Sequence, residues 1–165
     1  MDRDHDLTQI VVAVSDAKVS GDAGALLVTY ALGSCIGVCL HDGTAGLAGM
    51  LHYQLPSSAL SPERAREQPL MFADTGLAQL LRAMEQQGGL GSRMTVKLAG
   101  GAQMLNDAKL FSIGRRNYTA IRKVLWDRGM LIHREDVGGD APRTVYLRVA
   151  DGAVTVRANG TTYPL

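Results

Sequence analysis

Short runs of apolar and β-branched residues, broken by glycine, proline and Asp-Gly pairs, dominate this chain and predict strands more often than helices. Thr8 to Val14 and Ala25 to Leu32 are rich in Val, Leu, Ile and Thr and read as two strands joined by a turn at Ser20-Gly21-Asp22-Ala23-Gly24. Ile36 to His41 and Leu47 to Leu55 flank Asp42-Gly43-Thr44-Ala45, where Asp-Gly is a strong short-range hairpin signal. Pro56 to Pro69 holds three prolines and several charges and reads as a solvent-exposed loop. Beyond it Met71, Leu77, Leu80, Leu81 and Met84 recur at helical spacing until Gly88-Gly89 stops them. Met94 to Leu98 predicts another strand, running into Gly100-Gly101. Asn117 is placed to cap a second helix whose Tyr118, Ile121, Val124 and Leu125 share one face and which ends at Gly129. Met130 to Glu135, Arg143 to Val149 and Ala153 to Arg157 complete the strands, the last two joined by Asp151-Gly152.

Strands in runs with only two strong helices argue for an α/β or α+β layered sandwich with a mixed, largely antiparallel sheet whose apolar faces the helices cover. A doubly wound parallel fold would need a helix after nearly every strand. With 165 residues, 46% of them hydrophobic, the chain is expected to form a single domain over residues 1–165 around one core.

Composition then removes several function classes. Lys and Arg number 17 against 16 Asp and Glu, so no bulk field recruits nucleic acid or an acidic membrane surface. Met1 to Ile10 lacks the pattern of a secretory leader, and no apolar stretch approaches the ~18 residues of a membrane span, so a cytoplasmic location is expected. The glycines at 88, 89 and 91 lack the Gly-Lys-Ser/Thr ending of a phosphate loop, which leaves nucleotide binding without support. Two cysteines four residues apart, in a reducing compartment, are expected to be free thiols.

Cys35 closes the run Leu32-Gly33-Ser34-Cys35 at a loop-to-strand junction, where a thiol is open to a substrate, and His52 comes on the next strand. If Gly43-Thr44 is the two-residue hairpin loop, Cys35 sits directly opposite His52, with Cβ atoms roughly 4.5–5.5 Å apart. If Asp42-Gly43 is the loop, Cys35 faces Met50 and His52 remains its diagonal neighbour on the same face, because side chains alternate with period two. Cys39, in the middle of the strand, reads as a small buried hydrophobe. A zinc site from Cys35, Cys39, His41 and His52 is the rival reading. In an extended strand, however, positions 35 and 39 lie about 13 Å apart, too far to share one ion. His5, His41 and His133 read as surface residues.

The run from Thr29 to Asp42, Thr29-Tyr30-Ala31-Leu32-Gly33-Ser34-Cys35-Ile36-Gly37-Val38-Cys39-Leu40-His41-Asp42, together with His52-Tyr53-Gln54-Leu55-Pro56 after it, resembles the CheD family of bacterial chemoreceptor glutamine deamidases. Ala73-Asp74-Thr75, Gly100-Gly101-Ala102-Gln103-Met104, Ile113-Gly114-Arg115-Arg116-Asn117 and Asp136-Val137-Gly138-Gly139 with Arg143 come in that family's order and spacing. The resemblance implies an α/β sandwich related to bacterial toxin deamidases and a triad at Cys35, His52 and Thr29. It also implies receptor helices and a CheC-type phosphatase as partners. One departure stands out: Ala31 occupies a place where the family often has glycine, which leaves Gly33 to supply the turn.

The expected chemistry is hydrolysis of a glutamine side-chain amide on a chemoreceptor, tuning its signalling, with no metal or organic cofactor. His52 draws the proton from Cys35, the thiolate attacks the carboxamide, and backbone N–H groups around Gly33, Ser34 and Cys35 hold the oxyanion. Gly100 and Gly101 are expected to support the substrate site through tight backbone turns. Two alternatives share the sequence: an adaptor that docks on receptors or on the phosphatase with weak catalysis, and a thiol esterase acting on receptor glutamyl methyl esters.

Overall fold

A computed structural model describes residues 4–103 and 112–165. Met104, the last residue of the Gly100-to-Met104 run, lies outside them. Among the described residues ten strands and three α-helices succeed one another as β1 Thr8–Val11, β2 Asp16–Ser20, β3 Ala25–Leu32, β4 Ile36–Asp42, β5 Leu47–Tyr53, α1 Pro62–Glu67, α2 Ala73–Gln86, β6 Thr95–Gly100, α3 Ile113–Asp127, β7 Arg134–Val137, β8 Arg143–Arg148, β9 Val154–Ala158 and β10 Thr161–Pro164.

The strands form two five-stranded sheets, in the orders β1-β3-β8-β9-β10 and β2-β5-β4-β6-β7. Each has one parallel pair, β1 with β3 and β6 with β7, and is otherwise antiparallel. The mixed, largely antiparallel α+β sandwich expected from the sequence is therefore the fold that the chain builds.

Three layers result. Leu27, Val145, Leu147 and Val156 from the first sheet meet Cys39, Met50 and Ala99 from the second. On its other face the second sheet turns Ile36, Val38, Leu40, Leu51 and Tyr53 toward Leu77, Leu80 and Met84 of α2 and Ile121 and Leu125 of α3. Every residue of β4 and β5 is buried because both faces are covered, which is why these strands read as continuous apolar runs without alternation.

Several elements depart from the expected pattern. Thr8 to Val14 is no single strand: β1 ends at Val11, Ser15 takes φ 55°, and β2 begins at Asp16 in the other sheet. Strand β2, absent from the expected set, does carry a signal in the sequence, since Ala17 and Val19 pack toward the helices between Asp16, Lys18 and Ser20. Pro56 to Pro69 holds a 3-10 turn at Ser58–Leu60 and the short helix α1, with Ala65 buried. Proline at the first position of α1 lacks an N–H that would have been unpaired there in any case.

Asn117 does not cap α3, which starts four residues earlier; it is fully buried inside the helix. Residues from Met130 onward finish the turn after α3, Met130 N donating to Leu125 O at 2.9 Å, so β7 begins only at Arg134. The final strand β10 is an addition to the expected set, its four residues being too short to show a pattern. His41 is no surface residue: it is 8% exposed, and its Nε2 lies 3.0 Å from Val149 O, joining the two sheets. His133 is exposed but partnered, its Nδ1 accepting from Val96 N at 3.0 Å.

Candidate active site

The chain passes from one sheet to the other between β3 and β4, and Cys35 sits at that crossing. The register of β3 against β8 shifts between Thr29 and Leu32, and within this irregularity Ala31 adopts φ 57°. Such bulges turn a strand and re-aim the residues beyond it. The left-handed residue is thus Ala31, where Cβ makes the conformation costly, and Gly33 does not supply it.

Three successive carbonyls after the bulge are pinned. Gly33 O accepts from Ala102 N at 2.9 Å, Ser34 O from Asn117 Nδ2 at 2.9 Å, and Cys35 O from Gly101 N at 2.8 Å. In a trans peptide the N–H lies opposite the C=O. The N–H groups of Ser34 and Cys35 therefore face away from Ala102 and Asn117. Asn117 Nδ2 also reaches Gln54 O at 2.8 Å, and Tyr53 Oη donates to Asn117 O at 2.7 Å, so one buried amide ties the Cys35 loop to the end of β5.

Gly100, at φ 111°, is the seat of this loop, since a Cβ there would overlap the Cys35 carbonyl oxygen. Arg143 fixes the seat from below, donating to Gly100 O at 3.3 Å and to Gly138 O at 2.8 Å. A cleft of about 310 Å³ adjoins it, lined by Gly101, Gln103, Arg115, Tyr118, Val137, Gly138 and Gly139.

The β4–β5 hairpin closes with four residues between Asp42 and Leu47, longer than either two-residue loop expected. His52 consequently faces Gly37, and Cys35 is displaced along the strand from the position directly opposite it. An even change in loop length preserves parity. Cys35 is half-buried and packs against the inter-sheet cluster, on the side of the sheet that carries Cys39 and Met50. The bare face of Gly37 admits Leu32 and Thr29 from the other sheet, at 3.0 and 3.8 Å from where a Cβ would stand.

Thr29, on β3, reaches His52 across the sandwich. Both are fully buried, and Thr29 Oγ1 lies 2.7 Å from His52 Nδ1 and 2.7 Å from Val12 O. A hydroxyl has one hydrogen, and a carbonyl oxygen only accepts. The Thr29 proton therefore goes to Val12 O, Thr29 accepts from His52, and the ring carries its hydrogen on Nδ1. Its Nε2 is left as a lone pair, and among the described residues that buried atom has no hydrogen-bond partner. Burial holds the His52 pKa down to about 4, against the pull of Asp16, so the ring is neutral near pH 7.

The remaining candidates separate cleanly. Burial pushes the Cys39 thiol up to about 12, as befits a core residue. Tyr53 is held well above its ordinary value by burial and by the nearby Cys35. No group of three or more His, Cys, Asp or Glu side chains among the described residues is arranged to hold a metal ion. No helix among them is long and apolar enough to cross a membrane. Sequence reasoning missed the structural parts of Asn117, Gly37 and Asp16, which depend on contacts between distant segments.

Known proteins resemble this chain over most of its length. The family model "CheD chemotactic sensory transduction" matches residues 54–158. The chain is 45% identical to the "Probable chemoreceptor glutamine deamidase CheD" of Solibacter usitatus, over 93% of this chain and 91% of that protein. It is 44% identical to the "Probable chemoreceptor glutamine deamidase CheD 1" of Syntrophus aciditrophicus, over 92% of this chain and 94% of that protein. A relative in Archaeoglobus fulgidus, also named "Probable chemoreceptor glutamine deamidase CheD", is 38% identical over 91% of this chain and 93% of its own length. On the breadth of these matches, the chain belongs to the CheD family.

Proposed function

We propose that this chain, acting as one domain, hydrolyses glutamine side-chain amides on chemoreceptors, the substrate for which its relatives are named. Cys35 is the nucleophile, His52 the general base and acid, and Thr29 the group that orients the ring. The observation that carries the reading is the committed Thr29 hydroxyl, which holds His52 as the Nδ1–H tautomer and leaves Nε2 an unpartnered buried base among the described residues.

His52 Nε2 takes the Cys35 proton, and the thiolate attacks the carboxamide carbon. The oxyanion is held by the N–H groups of Ser34 and Cys35, whose peptide planes are fixed by their pinned carbonyls. Protonated His52 gives its proton to the departing nitrogen, ammonia leaves, and a thioester remains. Water, deprotonated by His52, then attacks the thioester; a glutamate is released, and the thiol recovers its proton. Gly100 and Gly101 act through the backbone, seating the loop. The added carboxylate changes the charge of the receptor and so its signalling, and a CheC-type phosphatase is the second partner this reading carries.

The test is ammonia release, with mass mapping of the amide-to-acid change, when the purified protein meets cytoplasmic receptor fragments. Release should vanish in Cys35→Ala and in His52→Ala. Receptor binding without any release by the wild type would instead identify a docking module, and release that survives Cys35→Ala would remove the thiol mechanism.

A further inference from the structure

A triad that ends on a neutral hydroxyl stabilises imidazolium less than one that ends on a carboxylate, and the one acid between Cys35 and His52 in sequence, Asp42, stands at the far end of β4 and is held by Arg93. The fold supplies one from elsewhere. β2 runs antiparallel to β5 with Asp16 as the strand partner of His52. Direct cross-strand partners share a sheet face with Cβ atoms roughly 4.5–5.5 Å apart. The alternation of β2 agrees, since Ala17 and Val19 take the helix side and leave Asp16 on the side of His52.

The Asp16 carboxylate is also fixed in place. Its oxygens accept from Ala13 N at 3.1 Å and from Ala17 N at 2.8 Å. Through Ala13 it steadies the turn that presents Val12 O, the acceptor of the Thr29 hydroxyl.

We propose that Asp16 is a positioning residue for His52, its anchored carboxylate stabilising the imidazolium that forms when the ring takes the Cys35 proton while its amide contacts hold the Val12–Thr29 link in register. This rests on the proposed Cys35–His52 reading for its catalytic consequence, though its electrostatic part does not.

The charged and titratable groups that β2, the β4 segment and β8 turn toward the inter-sheet layer are Asp16 and Lys18, Cys35, Cys39 and His41, and Arg143. Among these strands Asp16 is the acid near the ring, because Asp42 stands at the far end of β4 and is held by Arg93. Arg143 is engaged by Asp136. Lys18 Nζ lies 3.4 Å from Asp16 Oδ1 and draws off part of its field. Burial of the ring dominates its acidity, and Asp16 acts in the opposite direction.

An NMR titration of the His52 imidazole in the full chain, assigned with His52→Gln and read without substrate, tests this. Asp16→Asn should lower the His52 pKa, and Lys18→Met, which leaves the amide contacts intact, should raise it. In turnover, Asp16→Asn should lose roughly tenfold in kcat with KM unchanged, corresponding to about one pH unit on the base. Asp16→Glu should recover part of that loss.

A His52 titration that is the same in wild type and Asp16→Asn overturns the proposal. Should Asp16→Asn fail to fold, Lys18→Met carries the test alone, and an unmoved titration there is equally fatal. If Cys35→Ala keeps full activity, the proposed site is wrong, whereas the titration still decides whether Asp16 governs His52.

Discussion

Replacing Thr29 with valine keeps the shape of the side chain and removes the hydroxyl that joins His52 to Val12. Two buried groups would then lack a partner, at about 1–3 kcal/mol each. The ring would be free to change tautomer, so kcat should fall roughly tenfold to a hundredfold, with Thr29→Ser retaining most of the activity; steady-state kinetics on receptor fragments checks both. On the proposed mechanism, His52 itself sets the acid limit. Its pKa is about 4 in the fold against an ordinary 6.5, so between these values the unfolded chain binds the proton that the fold refuses. The stability this gives is fully present above about pH 6.5 and is lost as pH falls toward 4. The acid limb of kcat/KM should accordingly lie well below the value of an exposed histidine, which a pH profile of the free enzyme measures.

At the scale of the element, the bulge in β3 is where local geometry and sequence disagree most. A strand that ran straight through Tyr30 and Ala31 would not deliver Cys35 to the second sheet, so a residue with a Cβ is held at φ 57°. Ala31→Gly should remove that strain and raise stability by about 0.5–1 kcal/mol, net of the extra freedom glycine brings to the unfolded chain. Chemical denaturation shows it as a higher midpoint at unchanged slope. The same crossing explains Asn117. Its side chain sits inside α3 because the Cys35 loop and the end of β5 both offer a carbonyl to the same buried spot, and a long-range use of that kind leaves no mark in the helical pattern around it.

Across the whole molecule, buried polar groups at the opposite end of the second sheet hold elements together. Asp42 is fully buried and accepts from Leu90 N at 2.9 Å and from Arg93 Nη2 at 2.9 Å, which fastens β4 to the segment between α2 and β6. Burial by itself would raise its pKa, but the hydrogen bonds from Arg93, Leu90 and Ala45 outweigh it and hold the carboxyl at about 2. The contribution is therefore present above the ordinary value of 3.8 and lost as pH falls from there through 2. Arg93→Met should leave the buried carboxylate without its counter-charge and cost about 3 kcal/mol at neutral pH. Acidifying toward pH 2 should narrow the difference between the two proteins, and denaturation at several pH values reads it.

Local pattern made the second sheet's hairpin legible, and with it the placing of Cys35 and His52 on one sheet face. Period-two alternation explains why that survived the unexpected four-residue loop: any even loop preserves the face. The likeness to the CheD family, the largely antiparallel sandwich and the two amphipathic helices were readable for similar reasons, each resting on neighbours in sequence. The end of β1 at Val11, with Val12 to Val14 outside any strand before β2 opens in the other sheet, was not, because where a strand stops inside an apolar run depends on which partners its residues find. Only the pairing of β2 with β5 sets Asp16 beside His52, and only the packing of one sheet on the other brings Thr29 to the ring and settles its tautomer. Those contacts join segments far apart along the chain, and their registers depend on how the cores fill space, which no local spacing of residues encodes.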